Sequence, residues 1–304
     1  MQVSLIVTNC CHITPKKQAT QSPPRERGSR RLADTLLAKK AAYIMFSQAH
    51  IRVTFDKHIA FLVIDRPEKH NALDNDDIDA LLAACALIET TSQIWVVVLS
   101  GSGGKVFCSG GDIMAWSALC PLDFGRHWLR RGHMAFDALA RLRQPLIAVL
   151  NGHAFGGGLE LAAAADFRLM ESHARIGLPE PGLGVIPGWS GTQRAVRRFG
   201  AANVKRMALF GEMMDAPTAL AAGVVDEIVP QESGLRRARE LAIKVSEKAP
   251  VAIEAVKMLI NTAEGEEGGR AAEALAGICV GYTNDLQEGV QAFREKRSPV
   301  FQGR

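Results

Sequence analysis

Two glycine-rich turns and two glutamates are the features of this sequence that could carry out chemistry. The turns are Ser109-Gly110-Gly111-Asp112 and Gly156-Gly157-Gly158, and the second is followed directly by Leu159-Glu160. Glycine lets a backbone approach a ligand closely and leaves its N–H group accessible. If the two turns converge, one N–H group from each could bind the same carbonyl oxygen. The alternative is that both turns are ordinary tight connections.

The two glutamates occupy unusual local sequences. Glu160 lies in the otherwise apolar segment LELAAAA, where a charge is unfavourable unless it is paired or takes part in a reaction. Glu180 lies between Pro179 and Pro181, which limit its conformational freedom. Either residue could also be an ordinary solvated carboxylate.

The surrounding elements predict an α/β fold. Apolar runs at 60–65, 94–100 and 145–150 predict strands, and helical patterns follow at 74–89, from Asp112 and over 159–165. Glycine-rich turns at the carboxyl ends of strands lead into helix N-termini, where anions or developing oxyanions can bind. Gly101 and Gly152 occupy matching places after their strands, which indicates a repeated strand–turn–helix unit.

After about residue 235 the sequence predicts amphipathic helices only. Leu235, Ala238, Leu241 and Val245 fall on one face of the first of these helices. Such apolar faces could form an oligomer interface, or they could pack back on the core of the same chain.

Composition excludes several classes of protein. The chain has 304 residues, of which 47% are apolar and 22% charged, as expected for one or two globular domains and not for a disordered chain, coiled coil or collagen. Six cysteines without a CxxC pair indicate reduced thiols. No apolar run is long enough to cross a bilayer, so we expect no membrane association.

The basic residues are concentrated at the start of the chain. Residues 1–44 contain eight Lys/Arg and two Asp/Glu, so the remaining 28 basic and 30 acidic residues leave a net charge of −2. This balance predicts no nucleic-acid partner. We interpret 1–44 as a disordered basic leader, with Met45 as a plausible natural start. A mitochondrial transit peptide fits the leader only in part, because it contains two acidic residues.

Several common active sites are missing from the sequence. No GxGxxG motif follows a strand, and neither a P-loop nor a complete nucleophile elbow is present. There is no HExxH motif, and His127 and His133 are spaced six residues apart, so they would not share a helix face. We therefore expect no metal site.

Five motifs, in order, resemble the enoyl-CoA hydratase/isomerase, or crotonase, superfamily from Ile51 to the C-terminus. They are RPEKHNAL (66–73), FCSGGD (107–112), NGHAFGGGLELAAAAD (151–166), LPEPGLGVIPGWSGTQ (178–193) and FREKRSPVF (293–301). The resemblance implies a spiral core of repeated ββα units over 45–234. It also implies a C-terminal helical trimerisation region over 235–304, and a homotrimer or homohexamer.

The resemblance also implies roles for the turns and glutamates. The N–H groups of Gly111 and Gly157 would bind the thioester oxygen of an acyl-CoA. Glu160 would activate water toward Cβ, and Glu180 would protonate Cα, so we expect environments that separate their pKa values. Because both glutamates are present, hydration of 2-enoyl-CoA is favoured over isomerisation or another lyase reaction. A non-enzymatic CoA-binding scaffold is the most distant alternative.

The resemblance assigns the remaining substrate contacts by segment. They are Lys69, Ala72, Leu73, Ser109, Gly110, Asp112, Ile113, Gly156, Pro179, Gly188, Trp189 and Lys296. No cofactor beyond the CoA moiety is implied, and the expected location is cytoplasmic, with the mitochondrial matrix as the alternative. Trp189 and Ser190 stand where the family commonly has small residues, and Leu178 where a polar residue is frequent. We therefore expect Trp189 to narrow the acyl pocket or to line it with an aromatic face, which weakens the expectation that straight-chain crotonyl-type substrates are preferred. Trp116 is a further candidate for this face, with a place in the core or an interface as the alternative.

Overall fold

The computed structural model describes residues 44–304, so the predicted leader lies, apart from Ile44, outside the described residues. Within 44–304, eleven strands form one large and one small sheet. The strands are β1 (Ile44–Gln48), β2 (Ile51–Asp56), β3 (Ile59–Ile64), β4 (Val96–Gly101), β5 (Val106–Cys108), β6 (Leu146–Leu150), β7 (His153–Phe155), β8 (Phe167–Glu171), β9 (Arg175–Gly177), β10 (Met214–Asp215) and β11 (Glu227–Val229).

The large sheet has the order β1-β2-β3-β4-β6-β8-β11, and it is parallel from β3 onward. Its central strands are covered on both faces, which explains the uninterrupted apolar sequence of Val96–Leu99. The small sheet has the order β10-β9-β7-β5. The strands predicted over 60–65, 94–100 and 145–150 are confirmed as β3, β4 and β6.

The repeat predicted from Gly101 and Gly152 is confirmed. The pairs β4/β5, β6/β7 and β8/β9 each give one longer strand to the large sheet and one short strand to the small sheet. A Cβ atom on Gly101 would lie 2.3 Å from the carbonyl oxygen of Phe107, and one on Gly152 would lie 2.4 Å from that of Lys105. The chain crosses between the sheets closely at these glycines.

Helices connect and cover the sheets. They are α1 (Asn75–Thr90), α2 (Ile113–Trp116), α3 (Pro121–Asp123), α4 (Arg130–Ala140), α5 (Gly157–Ala163), α6 (Arg194–Phe199), α7 (Ala201–Phe210), α8 (Ala216–Ala221), α9 (Gly234–Ser246), α10 (Pro250–Ala263), α11 (Gly269–Gly281) and α12 (Asn284–Glu295), with 3-10 turns at Pro67–Lys69 and Glu180–Leu183 and a π-helical turn at Phe124–Leu129. Asp74 caps α1 through a reciprocal capping box with Asp77. The helix predicted from Asp112 is a single turn, α2.

The C-terminal helices differ in how they are covered. Helix α9 packs on β4, β6 and β8, where Ala238 and Ala242 are fully buried and Leu241 and Val245 pack beside them. Leu235 does not share this contact, since it is 47% exposed at the first turn of the helix. Helices α10–α12 leave many large apolar side chains exposed. Packing on the core of the same chain is thus confirmed for α9, and the oligomer interface stays a prediction. No helix among residues 44–304 is both long and apolar enough to cross a membrane.

Candidate active site

The two glycine-rich turns meet. The first lies after β5 and the second after β7, and these strands are neighbours in the small sheet. A Cβ atom on Gly110 would lie 2.9 Å from Gly157 N, and one on Gly157 would lie 3.1 Å from Gly110 Cα. Gly110 has φ of 100° and Gly156 has φ of 54°, a region that glycine adopts without strain. Gly110 and Gly156 must therefore be glycine if the two turns are to touch.

The N–H groups of Gly111 and Gly157 are available to a ligand. Leu73 pairs with Gly111 through the neighbouring Gly110 oxygen and Asp112 amide, which leaves the Gly111 amide unused. Gly157 is the first residue of α5, where an amide has no intrahelical acceptor. Among the described residues, neither amide donates to a protein acceptor.

Glu160 is held by the backbone of the following loop. Its side chain is buried, and Oε1 accepts hydrogen bonds from Trp189 N at 2.8 Å and Gly191 N at 2.5 Å. Ser190, between these two donors, has φ of 89°, and its hydroxyl oxygen lies 3.1 Å from His133 Nδ1. The loop thus fixes the carboxylate through main-chain amides, which do not depend on the side chain at 189.

Glu180 approaches the same site from the 3-10 turn after β9. Its Oε1 lies 2.8 Å from the position that a Cβ atom on Gly156 would occupy, so the second glycine turn leaves room for this carboxyl group. Oε2 of Glu180 is buried and has no hydrogen-bond partner among the described residues. A buried oxygen without a partner is suited to hold a proton or to contact a ligand.

Both carboxyl groups have raised pKa values. Burial, together with repulsion from Glu180, raises the pKa of Glu160 to about 8, although the two loop amides lower it in part. Burial raises the pKa of Glu180 to about 7. The expected clear separation, with Glu160 the more acidic group, is therefore not what the structure shows. Burial in the same cavity raises both pKa values, and the charge of Glu180 adds to the rise at Glu160.

A cavity of about 100 Å³ joins these groups. It contains most of the residues predicted from the sequence, namely Ser109, Gly110, Gly111, Ile113, Gly156, Gly157, Glu160, Pro179, Glu180, Gly188 and Trp189. The structure thus brings the two free amides and the two acids to one cavity.

The other predicted binding residues lie outside this cavity. Lys69 and Lys296 are exposed, the former ending a 3-10 turn and the latter following α12. Ala72 and Leu73 are buried and act through their backbones, since the Ala72 oxygen accepts from Arg66 and Leu73 pairs with the first turn. Asp112 forms an ion pair with Arg66 at 3.1 Å. The CoA contacts expected from Lys69 and Lys296 remain predictions.

Sequence reasoning missed most of the apolar wall. Besides Trp189 and the suspected Trp116, the cavity is lined by Phe124, Trp128, Leu129, Leu183, Val185 and Ile186. The signal was weak because Phe124–Leu129 is a π-helical turn that lacks the usual helical spacing. Three of the four tryptophans of the chain line the cavity. Leu178, by contrast, is buried in the core.

One cluster outside the cavity has the composition of a metal site. Ligand atoms of His50, Asp74 and Asp77 lie within 4.8 Å of one another. However, Arg66 supplies positive charge there, with Nη1 3.2 Å from Asp74 and 3.6 Å from Asp77, and Asp77 accepts two hydrogen bonds from His50. The cluster is accounted for by these contacts and the capping of α1.

The architecture, with one large and one small sheet built from repeated strand pairs, is that of the crotonase fold. The family model described as enoyl-CoA hydratase/isomerase matches residues 54–304. The short-chain-enoyl-CoA hydratase of Clostridium acetobutylicum is 36% identical over 242 residues, which cover 79% of this chain and 92% of that protein. The 2,3-dehydroadipyl-CoA hydratase of Escherichia coli is 32% identical over 254 residues, covering 83% and 98%.

Solved structures agree with these matches. The crystal structure of an enoyl-CoA hydratase from Bacillus anthracis superposes with a TM-score of 0.70 at 32% identity, and the match covers 84% of this chain and all of that one. The chain belongs to the enoyl-CoA hydratase/isomerase family, and it is an enzyme of the hydratase and lyase class.

Proposed function

We propose that the protein reversibly hydrates 2-enoyl-CoA thioesters to 3-hydroxyacyl-CoA. The observation that carries this proposal is the pair of buried carboxyl groups, Glu160 and Glu180, lining the same cavity as the unused amides of Gly111 and Gly157. The names of the hydratases that share the family support the reaction type.

In the proposed mechanism, the amides of Gly111 and Gly157 bind the thioester oxygen. As Cβ is attacked, negative charge develops on this oxygen, and the two donors stabilise the resulting enolate. Loss of one such donor typically costs about 10²–10³-fold in rate. The same polarisation makes Cβ electrophilic and makes Cα basic in the enolate.

The two glutamates divide the proton transfers. Glu160, fixed as an acceptor by two amides on Oε1, takes a proton from water as the water oxygen bonds to Cβ. Glu180 delivers a proton to Cα of the enolate from its carboxyl group. The reaction needs Glu160 ionised and Glu180 protonated, and the two amide hydrogen bonds to Glu160 favour its ionised form. In dehydration the roles reverse, and no group beyond the CoA thioester and water is required.

A double-bond isomerase is the main alternative. Isomerisation moves one proton between carbons and can proceed through one carboxyl group, whereas addition of water uses a base and an acid at once. Two ionisable groups in one cavity therefore favour hydration or its reverse, dehydration. A CoA-binding scaffold would not need buried carboxyl groups with raised pKa values.

Incubation with crotonyl-CoA tests the reaction directly. We expect loss of the absorbance of the conjugated thioester and a product heavier by one water molecule in mass spectrometry. Glu160→Gln and Glu180→Gln should each lower kcat by about 10²–10⁴-fold, the usual contribution of a general acid or base. A product of unchanged mass would indicate isomerisation, and unchanged turnover in both variants would refute the proposal.

Glu171→Gln is the matched control for these variants. Glu171 is also buried, and it also accepts two backbone amides, from Glu232 at 2.9 Å and Gly234 at 3.0 Å, but it lies outside the cavity. We expect this variant to retain hydration. A comparable loss of turnover there would show that the effect of Glu160→Gln comes from disturbed folding.

The assembly is also part of the proposal. The exposed apolar residues of α10–α12, among them Leu259, Ile260, Val280 and Phe293, support a homotrimer or homohexamer. Light scattering during size-exclusion chromatography would measure the mass. We propose a cytoplasmic location, with the mitochondrial matrix as the alternative if the basic leader is a transit peptide.

A further inference from the structure

We propose that Trp189, held in place by Gly132, closes the end of the acyl pocket and restricts the enzyme to short, uncharged acyl chains. This inference rests on the proposed hydratase function and deepens it. It identifies a specificity-determining side chain that acts on the acyl group, separate from the groups that carry out proton transfer.

The indole ring lies against both oxyanion turns. A Cβ atom on Gly157 would lie 2.8 Å from Trp189 Cε3, and one on Gly111 would lie 3.2 Å from Cη2. The ring therefore spans the distance between the two residues whose amides would bind the thioester oxygen. An acyl chain that extends from that thioester carbon meets the indole within a few atoms.

The opposite edge of the ring cannot retreat. A Cβ atom on Gly132 of α4 would lie 2.0 Å from Trp189 Nε1 and 2.3 Å from Cδ1, so the helix backbone is directly against the indole. Phe136 and Trp128 pack on the same ring, each with a centroid separation of 5.1 Å. Trp189 is 3% exposed. Closely packed interiors resist such displacement, so the side chain acts as a fixed wall.

The size of the cavity agrees with a short acyl group. Its volume of about 100 Å³ is well below the roughly 300–1,000 Å³ of typical ligand pockets. Trp116 and Trp128 also approach Gly111, at 3.4 Å and 2.7 Å from the position of an added Cβ atom. Three aromatic rings therefore crowd the space beside the first turn.

The charges of the cavity exclude one class of acyl group. Among its lining residues the only ionisable side chains are Glu160 and Glu180, and none is cationic. A carboxylate at the far end of the acyl chain would enter an apolar space beside two acids without a partner, which is unfavourable. We therefore expect uncharged chains to be preferred over carboxylated ones.

The central experiment compares kcat/KM across 2-enoyl-CoA substrates of four, eight and twelve acyl carbons, with 2,3-dehydroadipyl-CoA as the carboxylated probe. We expect the wild-type enzyme to prefer the four-carbon substrate. Trp189→Ala should raise the ratio of eight-carbon to four-carbon kcat/KM by at least about tenfold, since a single methylene group in an apolar pocket can change discrimination by 10–200-fold. An unchanged ratio in a folded variant would overturn the proposal.

Trp189→Phe is a second, more conservative variant, which keeps the proposal testable if Trp189→Ala does not fold. The indole N–H of Trp189 has no hydrogen-bond partner among the described residues, so phenylalanine removes ring volume without breaking a bond. The backbone amide that binds Glu160 is kept in both variants. We expect Trp189→Phe to shift the chain-length ratio in the same direction by a smaller factor. A shift toward shorter chains would contradict the proposed wall.

A change at Gly132 should act in the opposite direction. In Gly132→Ala the new methyl group displaces the indole toward the cavity, so kcat/KM for the four-carbon substrate should fall. In the double variant Gly132→Ala/Trp189→Ala the clash is gone, so four-carbon turnover should recover and the chain-length ratio should match that of Trp189→Ala. Gly125→Ala is the matched control, because a Cβ atom there meets nothing within 4 Å. Additive losses in the double variant would refute the contact as the cause.

Trp95→Ala provides a second control for loss of a tryptophan. Trp95 stacks on His58 at a centroid distance of 3.6 Å and does not line the cavity. We expect the wild-type chain-length ratio in this variant. If wild-type protein hydrates none of the thioesters, the proposed function fails; if it hydrates all chain lengths and the carboxylated probe equally, only the inference about Trp189 fails.

Discussion

The two glycine-rich turns have the same backbone design but opposite electrostatics. Each follows a short strand of the small sheet, and each places a glycine of positive φ, Gly110 or Gly156, directly before the residue with the unused amide. The acids that follow differ. Asp112 accepts from Met114 N at 3.0 Å and pairs with Arg66 at 3.1 Å, whereas Glu160 forms no ion pair among the described residues.

This difference shows how one repeated unit can be used in two ways. In the first unit the acid is neutralised, and the turn contributes an amide together with a stable start for α2. In the second unit the acid is buried with only amides as partners, so its charged form is unfavourable and it can exchange a proton near neutral pH. The first two units each contribute an unused amide, whereas the two acids of the cavity, Glu160 and Glu180, come from the second and third units.

The largest expected effect tests the shared part of the two turns. In Gly110→Ala the new Cβ atom would lie 2.9 Å from Gly157 N, and alanine is strained at φ of 100°. We expect the two turns to separate and kcat for crotonyl-CoA hydration to fall by about 10²–10³-fold, as when one oxyanion donor is removed. Steady-state kinetics measures the loss.

Gly104→Ala distinguishes backbone strain at positive φ from a steric clash between the two turns. Gly104 lies in the same β4–β5 unit and has φ of 67°, but an added Cβ atom meets nothing within 4 Å. Its substitution should lower stability slightly and leave kcat within a few-fold of wild type. If both variants lose the same activity, contact between the turns is not what the reaction requires.

The second prediction concerns the part that is not shared, the acid pair. Because burial raises both pKa values, to about 8 for Glu160 and about 7 for Glu180, kcat/KM should be highest between these values. Below this range both groups are protonated and no base is present; above it both are ionised and no acid is present. A pH–rate profile of the wild-type enzyme should therefore fall on both sides, by up to about tenfold per pH unit.

Glu180→Gln sharpens this prediction. The Glu180 carboxylate raises the pKa of Glu160 by repulsion, so removing its charge should move the titration of Glu160 to lower pH. The fall in the residual activity of the variant on the acidic side of its pH–rate profile should then occur at a lower pH than in the wild-type enzyme. A profile that keeps the wild-type limb would show that the two carboxyls do not interact.

The glycine turns and acids of the site could be predicted from the sequence, but the apolar residues that line its cavity could not. Glycine turns such as Ser109–Gly111 and acids such as Glu160 depend on local sequence and could be placed from it. Phe124, Trp128 and Ile186 come from segments distant along the chain, so their meeting in one cavity depends on tertiary packing. The relative pKa values of Glu160 and Glu180 also could not be anticipated, since both depend on burial in the folded protein.

The C-terminal helices show the same limit for the fold. Alternating strands and glycines predicted the repeated unit, because hydrophobic periodicity is a local property. Leu235 and Ala238 share one face in the sequence pattern, yet only Ala238 is buried against the sheet. A helical pattern fixes which residues lie on one face, whereas the neighbouring element determines how much of that face is covered.

The last prediction compares the two acids through stability. The pKa of Glu160 is raised in the folded protein, so the folded state binds more protons than the unfolded state between about pH 4.5 and 8, and stability is lost as pH rises through that range. Glu160→Gln removes this loss. The free energy of unfolding of the variant, relative to that of the wild type, should therefore be higher at about pH 9 than at about pH 5, by on the order of a few kcal/mol. Asp112→Asn should act with the opposite sign and destabilise by about 1 kcal/mol or less, because it removes the carboxylate charge that faces Arg66. Urea denaturation of both variants at both pH values measures the contrast. Equal, pH-independent changes would mean that the two turns hold their acids in the same way.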